Sequence, residues 1–180
     1  MKSLARRCQT SGFTLVETLI ALGVLSFGVL SLAALLASGL TLMNGSEDTY
    51  IAQQKALETV ESIFTARDIQ QASWTNINNV SQGGIFVDGP TQLCDPGPDG
   101  IVGTVDDNCV LPDSIIYPGP DGILGTPDDV KVLLGTFTRT IVIAPVAGSP
   151  GLKSIQVTIQ YRAGNFNRIY TLTSYISQFS

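Results

Sequence analysis

The sequence predicts an α+β protein: a long N-terminal helix, transmembrane at first and amphipathic after it, packed on an antiparallel β-sheet. Three observations support this prediction. No charged residue occurs in the 29 positions from Thr18 to Ser46, and about 20 apolar residues suffice to cross the hydrocarbon core of a bilayer. After this run, apolar residues continue to recur at the spacing of an α-helix. The last 44 residues are rich in β-branched and aromatic residues, which favour strands.

The flanks of the apolar run predict its orientation. Lys2, Arg6 and Arg7 precede it, and the first twelve residues contain no acid. The positive-inside rule therefore places the amino end in the cytoplasm and the rest of the chain outside. Cys94 and Cys109 then lie where disulfides persist. If they pair, closing a loop of about 15 residues contributes roughly 3 kcal/mol on the chain-entropy model.

The segment 43–73 continues the helix in amphipathic form. No proline occurs before Pro90, so nothing forces an early break. Six apolar residues fall on one side of a helical wheel, and this side is expected to pack on the sheet. They are Tyr50, Ala56, Leu57, Val60, Ile63 and Phe64.

The remainder divides into a loop-rich region and a strand region. Residues 74–136 are rich in Gly, Pro, Asn and Asp, with "GIFVDG" and "DSIIYPG" as the best strand candidates. Residues 137–180 contain the predicted antiparallel strands, within "TFTRTIVIAPV", "LKSIQVTIQYRA" and "NRIYTLTSYIS". The letters "AGNF" predict a hairpin turn, because Gly164 and Asn165 tolerate positive φ.

Charge and composition argue against two classes of function. Without residues 1–12, 7 Lys and Arg face 15 Asp and Glu, a formal charge of −8. Nucleic-acid affinity comes from neutralising phosphates, so no nucleic-acid partner is expected. Histidine is absent, and no nucleophile elbow, Walker loop or zinc spacing occurs. We therefore predict that the protein is not an enzyme.

The N-terminal motif resembles a known processing signal. "GFTLVETLIAL", after a short basic leader, is similar to the class III signal of type IV prepilins and type II secretion pseudopilins, and "LVETLIALGVLSFGVLSLA" is most similar to PilV-like minor pilins. The resemblance implies that Gly12 is the last leader residue, Phe13 the first mature and N-methylated residue, and Glu17 the fifth mature residue. Ala34 stands where many major pilins carry a proline.

The resemblance also implies a pilin fold and an organisation of the chain. The segments are a leader at 1–12, a transmembrane and assembly helix at 13–42, its amphipathic continuation at 43–73, the loop-rich region at 74–136 and the strands at 137–180. The implied partners are other pilin subunits, prepilin peptidase and the inner-membrane assembly machinery. The implied location is the inner membrane before assembly, and an extracellular pilus or a periplasmic filament afterwards.

Glu17 is the residue that a plain membrane anchor does not explain. A charged group near a bilayer centre costs about 2.5 to 3.5 kcal/mol on insertion scales. Cleavage after Gly12 would create an α-amine at Phe13, and a buried carboxylate is tolerable when an opposite charge pairs with it. We expect Glu17 to neutralise this amine in a neighbouring subunit or in its own. A secretory signal cut after "LLASG" and a plain single-pass anchor are the alternatives to this processing.

Three functions remain open on this basis. The first is a structural subunit, a minor pilin, of a type IV pilus. The second is a pseudopilin of a type II secretion system. The third, from another class, is a membrane-anchored calcium-binding surface domain that does not polymerise.

An acidic loop occurs twice. "DPGPDGIVGTVDDN" at 95–108 and "YPGPDGILGTPDDV" at 117–130 share PGPDGI, GT and DD. Calcium takes six to eight oxygen ligands in flexible geometry, which such loops could supply. The loops are similar to the "GPDG" calcium loop of major pseudopilins. The alternative is a pair of solvated turns, since Asp suits turns. The candidate calcium ligands are Asp99, Asp106 and Asp107 in the first copy and Asp121, Asp128 and Asp129 in the second.

Overall fold

A computed structural model describes residues 12, 14–163 and 166–179, without the side chains of residues 41–45. Three predictions fall outside these residues. They concern the basic leader up to residue 11, the first mature residue Phe13, and the turn at Gly164 and Asn165. The chain divides into two compact units, residues 1–43 and residues 44–180.

A single helix, α1 (Leu15–Asp68), accounts for nearly all of the described N-terminal unit and continues into the second. Its segment Leu15–Leu40 has a mean hydropathy of 2.5 and is not buried within the chain. At 1.5 Å per residue, these 26 residues span about 39 Å, which exceeds the roughly 30 Å hydrocarbon core. The helix is therefore long and apolar enough to cross a membrane.

The C-terminal unit is built on a four-stranded antiparallel sheet. Its strands are β1 (Thr91–Gln92), β6 (Thr138–Val146), β7 (Ser149–Ala163) and β8 (Phe166–Ser177). Their order in the sheet is β1-β6-β7-β8, and each strand pairs antiparallel with its neighbour. The α+β class and the antiparallel sheet are confirmed.

Buried and exposed residues alternate along β7, the middle one of the three long C-terminal strands. In β7, Ile155, Val157 and Ile159 are buried, whereas Gln156 and Gln160 are exposed. The buried face forms one core with residues of α1 and β6. The members from these two elements include Ala52, Ala56, Val60, Ile63, Ile141 and Ile143.

The loop-rich region contains two small antiparallel ribbons. The first pairs β2 (Cys94–Asp95) with β3 (Asn108–Pro112), and the second pairs β4 (Ser114–Tyr117) with β5 (Val130–Leu133). The strand expected within "DSIIYPG" is β4. The strand expected within "GIFVDG" does not form. Phe86, in the middle of this segment, makes isolated bridges with Asn79 and Thr104 instead of a continuous ladder. Phe86 is fully buried, so its apolar character reflects core packing.

The buried face of the helix is displaced around the helix from the face that the wheel predicts. Ala56, Val60 and Ile63 are buried as expected, whereas Tyr50 and Leu57 are 67% and 50% exposed. The buried residues lie on one side of the predicted face, and the two exposed ones lie on the other. Tyr50 and Leu57 instead line an open apolar groove between α1 and β8, together with Gln53, Gln54, Tyr170 and Leu172.

Two buried polar side chains fix the segment that follows α1. Asn79 donates from Nδ2 to the carbonyl oxygen of Ile141 (2.8 Å) and accepts from the N–H of Ile143 (2.8 Å). Lys153 donates from Nζ to the carbonyl oxygens of Trp74 (2.7 Å) and Ile77 (2.9 Å). These bonds join residues 74–79 to the sheet.

Candidate functional site

Of the predicted processing and assembly residues, Gly12 and Glu17 belong to the described chain, and both lie where α1 begins. Gly12 is exposed, and a Cβ built on it would meet nothing within 4 Å. The N–H of Glu17 donates to the hydroxyl oxygen of Thr14 (3.3 Å) and to its carbonyl oxygen (3.1 Å). Thr14 therefore caps the helix, and Glu17 occupies the third helical position, the spacing of a capping box.

This geometry adds an explanation of Glu17 that the sequence analysis missed. A carboxylate in the first turn also interacts favourably with the helix dipole. The signal was present in the letters "TLVE", which match the Thr-x-x-Glu pattern of a capping box. Helix capping and pairing with an amine can be tested separately. A glutamine at position 17 could still cap the helix, but it has no charge to pair with the amine.

The two acidic repeats fold into the same loop. In the first copy, Asp99 Oδ1 accepts from the N–H of Ile101 (2.8 Å), and Asp107 Oδ2 accepts from the N–H of Gly103 (2.8 Å). The second copy makes the same bonds at 2.8 and 2.7 Å, from Ile123 to Asp121 and from Gly125 to Asp129. We call residues 95–108 and 117–130 the first and the second acidic loop.

The shared glycines are required by this geometry. A Cβ at Gly97 would overlap the carbonyl oxygen of Asp106, and a Cβ at Gly119 would overlap that of Asp128. Gly103 and Gly125 have φ of 88° and 91°, a region that side chains other than glycine rarely adopt. The repeated glycines therefore specify the loop shape.

A threonine hydroxyl lies at the centre of each loop, and the sequence analysis did not identify it. Thr104 Oγ1 donates to Asp106 Oδ1 (2.7 Å), and Thr126 Oγ1 donates to Asp128 Oδ1 (2.6 Å). This bond is the largest influence that holds the pKa of the Asp106 and Asp128 carboxyls below the ordinary value of 3.8. The signal was the Thr of "GT", which both repeats share.

The two loops differ in the charge that faces their last acid. Asp107 forms an ion pair with Arg139 of β6, with Nη2 and Oδ2 3.2 Å apart and both side chains more than nine-tenths buried. Burial lowers the pKa of the Arg139 guanidinium, and the charge of Asp107 opposes this change. Among the described residues, no acid of the second loop forms an ion pair, and Asp129 Oδ1 is buried without a hydrogen-bond partner.

The ends of the two loops are also closed differently. A disulfide joins Cys94 to Cys109 across the first loop, with a Cα to Cα distance of 4.9 Å. The second loop is closed by the backbone ladder between β4 and β5, which pairs Tyr117 with Val130 at its end. The predicted pairing of the cysteines is therefore observed, and it closes one loop only.

The oxygen chemistry of the loops suits calcium, but the two loops do not fit it equally. Within the described part of the chain, no three His, Cys, Asp or Glu side chains are grouped to hold a metal ion. In the first loop, backbone N–H groups and Arg139 already satisfy Asp107. In the second loop, the orphaned oxygen of Asp129 leaves a carboxylate available to a cation.

Comparison with protein families, with curated proteins and with solved structures found no match for this chain.

Proposed function

We propose that the protein is a minor pilin, a structural and non-catalytic subunit of a type IV pilus. In this proposal prepilin peptidase cleaves after Gly12, Phe13 becomes N-methylated, and the subunit assembles through its N-terminal helix with other pilin subunits. The observation that carries the proposal is the apolar helix Leu15–Leu40, which is not buried within the chain and has an acid at its third position. The resemblance of "GFTLVETLIAL" to the prepilin signal supports the same proposal.

The C-terminal unit is compatible with this function. An apolar helix that leads into an antiparallel sheet corresponds to the pilin fold that we propose for the chain. The groove lined by Tyr50, Leu57, Tyr170 and Leu172 offers apolar surface along α1 to a neighbouring subunit. Burying that surface would be favourable by about 25 cal/mol per Å².

The first experiment examines processing and assembly together. The full chain is expressed in a host with a type IV pilus, and the sheared filaments are analysed by mass spectrometry. We expect a mature chain that begins at N-methylated Phe13 and is recovered with the filaments. A chain that begins at Leu40 would refute the processing, and a chain found only in the membrane would refute polymerisation in favour of an anchored surface domain.

The second experiment separates the two explanations of Glu17. Glu17→Gln keeps a side chain that suits a capping box but removes the charge. Glu17→Val removes both. We expect both variants to insert and to be cleaved, and both to enter filaments poorly, because neither can neutralise the Phe13 amine. If Glu17→Gln assembles like the parent chain, helix capping explains the acid and charge pairing does not.

A type II secretion pseudopilin is the second candidate. The two "GPDG" loops, which fold alike, favour it because they are similar to the calcium loop of that group. Deletion of the gene distinguishes the candidates. Loss of secreted exoenzymes with pili retained would indicate a pseudopilin, and loss of pili with secretion retained would indicate a pilin.

We propose Ca²⁺ as a ligand of the second acidic loop. Asp121, Asp128 and Asp129 supply carboxylates there, and bound calcium would neutralise the charge that no basic residue of the described chain pairs with. Calcium that binds only the folded chain stabilises it by about 2.7 kcal/mol at a hundred times its Kd.

The calcium proposal is tested on the full chain in detergent, by thermal unfolding with calcium or with a chelator. We expect the chelator to lower the melting temperature of the parent chain. Asp129→Asn keeps the size of the side chain and removes its charge, so this variant should show a smaller difference. If the parent chain melts at the same temperature with calcium and with the chelator, the acidic loops are better explained as a pair of solvated turns.

A further inference from the structure

The first acidic loop lies directly against a buried cation of the sheet. Arg139 is 3% exposed, and its Nη2 contacts Asp107 Oδ2 at 3.2 Å. Its Nη1 lies 3.5 Å from the hydroxyl oxygen of Thr59 on α1. A Cβ placed on Gly103 would come within 3.5 Å of the guanidinium, so the loop backbone also lies close to this group. The loop, the helix and the sheet meet at Arg139.

The equivalent carboxylate of the second loop has no such neighbour. Asp107 and Asp129 are the last acids of the two shared "DD" pairs, and each accepts from the N–H of a matching glycine. Of these two carboxylates, only that of Asp107 forms an ion pair with a basic residue of the described chain. Asp129 is only partly buried, but its Oδ1 is buried without a hydrogen-bond partner, and such an oxygen is costly. The two loops therefore have the same backbone geometry but different charge compensation.

We infer that the guanidinium of Arg139 supplies the positive charge of the first acidic loop, so that the charge of Asp107 is compensated without a metal ion. The resemblance to pseudopilin calcium loops implies a cation in both copies, and the first copy departs from it by using a side chain. Arg139 is a positioning residue in this inference. The role of Arg139 does not depend on pilus assembly or on calcium binding by the second loop.

Hydrogen exchange read by mass spectrometry on the full chain in detergent tests the inference, because it follows both loops and the sheet at once. In the parent chain we expect exchange of residues 101–107 to be the same with calcium and with a chelator. Arg139→Met should increase this exchange by about a hundredfold, since removing one partner of a buried pair leaves the other uncompensated. Arg139→Lys keeps the charge and should retain most of the protection.

Two further variants keep the test decisive. Arg168→Met removes an exposed arginine of β8 and should leave the first loop unchanged. The double variant Arg139→Met with Asp107→Asn removes both charges and should regain protection relative to Arg139→Met alone, even if that single variant unfolds more widely.

Two results would overturn the inference. One is calcium-dependent protection of the first loop in the parent chain. The other is equal protection of that loop in the parent chain and in Arg139→Met. If exchange in the second loop is the same with calcium and with a chelator, the proposed calcium ligand is refuted, whereas the inferred role of Arg139 is unaffected.

Discussion

Asn79→Ala should strongly destabilise the C-terminal unit, because it removes two buried hydrogen bonds to β6. Asn79 is 4% exposed. Strand β1 is short and covers only the start of β6, and the Asn79 amide bonds the next part of that edge, at Ile141 and Ile143, at 2.8 Å each. Alanine would leave a buried carbonyl and a buried N–H of the sheet without partners. Each such group costs about 1 to 3 kcal/mol, so we expect a loss of about 2 to 6 kcal/mol in the free energy of unfolding.

The measurement uses a probe that the chain provides. Trp74 is the single tryptophan, and Lys153 Nζ lies 4.4 Å from its ring centroid. Its fluorescence should report separation of this segment from the sheet during urea unfolding of the full chain in detergent. A loss of 3 kcal/mol would also lower the melting temperature by about 10 °C in a chain of this size.

Asn78→Ala is the matched control. The Asn78 amide makes one solvent-exposed bond, to the carbonyl oxygen of Thr75 at 3.0 Å. Surface substitutions of this kind usually stay within about 0.5 kcal/mol. If Asn79→Ala costs no more than Asn78→Ala, then water replaces the lost amide at β6, and the reasoning from unsatisfied backbone groups is wrong.

Three further predictions follow from the loops and the groove. Replacing both Cys94 and Cys109 by alanine should lower the free energy of unfolding by about 3 kcal/mol, the chain-entropy value for a 15-residue loop, and no change in urea unfolding would contradict this. The pKa of Asp128 is below 3.8 in the folded chain, so its bond with Thr126 stabilises the protein above that pH and is lost as the pH falls through the folded value. Thr126→Val should raise the Asp128 pKa in a carboxyl NMR titration, and an unchanged titration would exclude the hydroxyl as the cause. Leu57→Lys should reduce incorporation into sheared filaments without lowering the melting temperature, since Leu57 is half exposed, and normal incorporation would exclude the groove as a subunit contact.

Local patterns in the sequence were sufficient for the main elements. The long apolar run, the two-residue alternation of β7 and the repeated glycines each predict structure over a few neighbouring residues. Such patterns predict secondary structure and turns because local backbone geometry and local hydrogen bonds depend on residues that are close in the sequence. The α+β class and the common shape of the two acidic loops follow from them.

Contacts between distant segments could not be predicted from local patterns, because they depend on how the whole chain folds. Arg139 meets Asp107 from 32 positions away, and Asn79 bonds a strand more than 60 positions away. The sheet also decides which part of the amphipathic helix it covers, which leaves Leu57 exposed against the prediction. The repeated glycines and acids were sufficient to predict two similar acidic loops. Their different charge compensation required the fold, because the register of β6 against its neighbours brings Arg139 to one loop only.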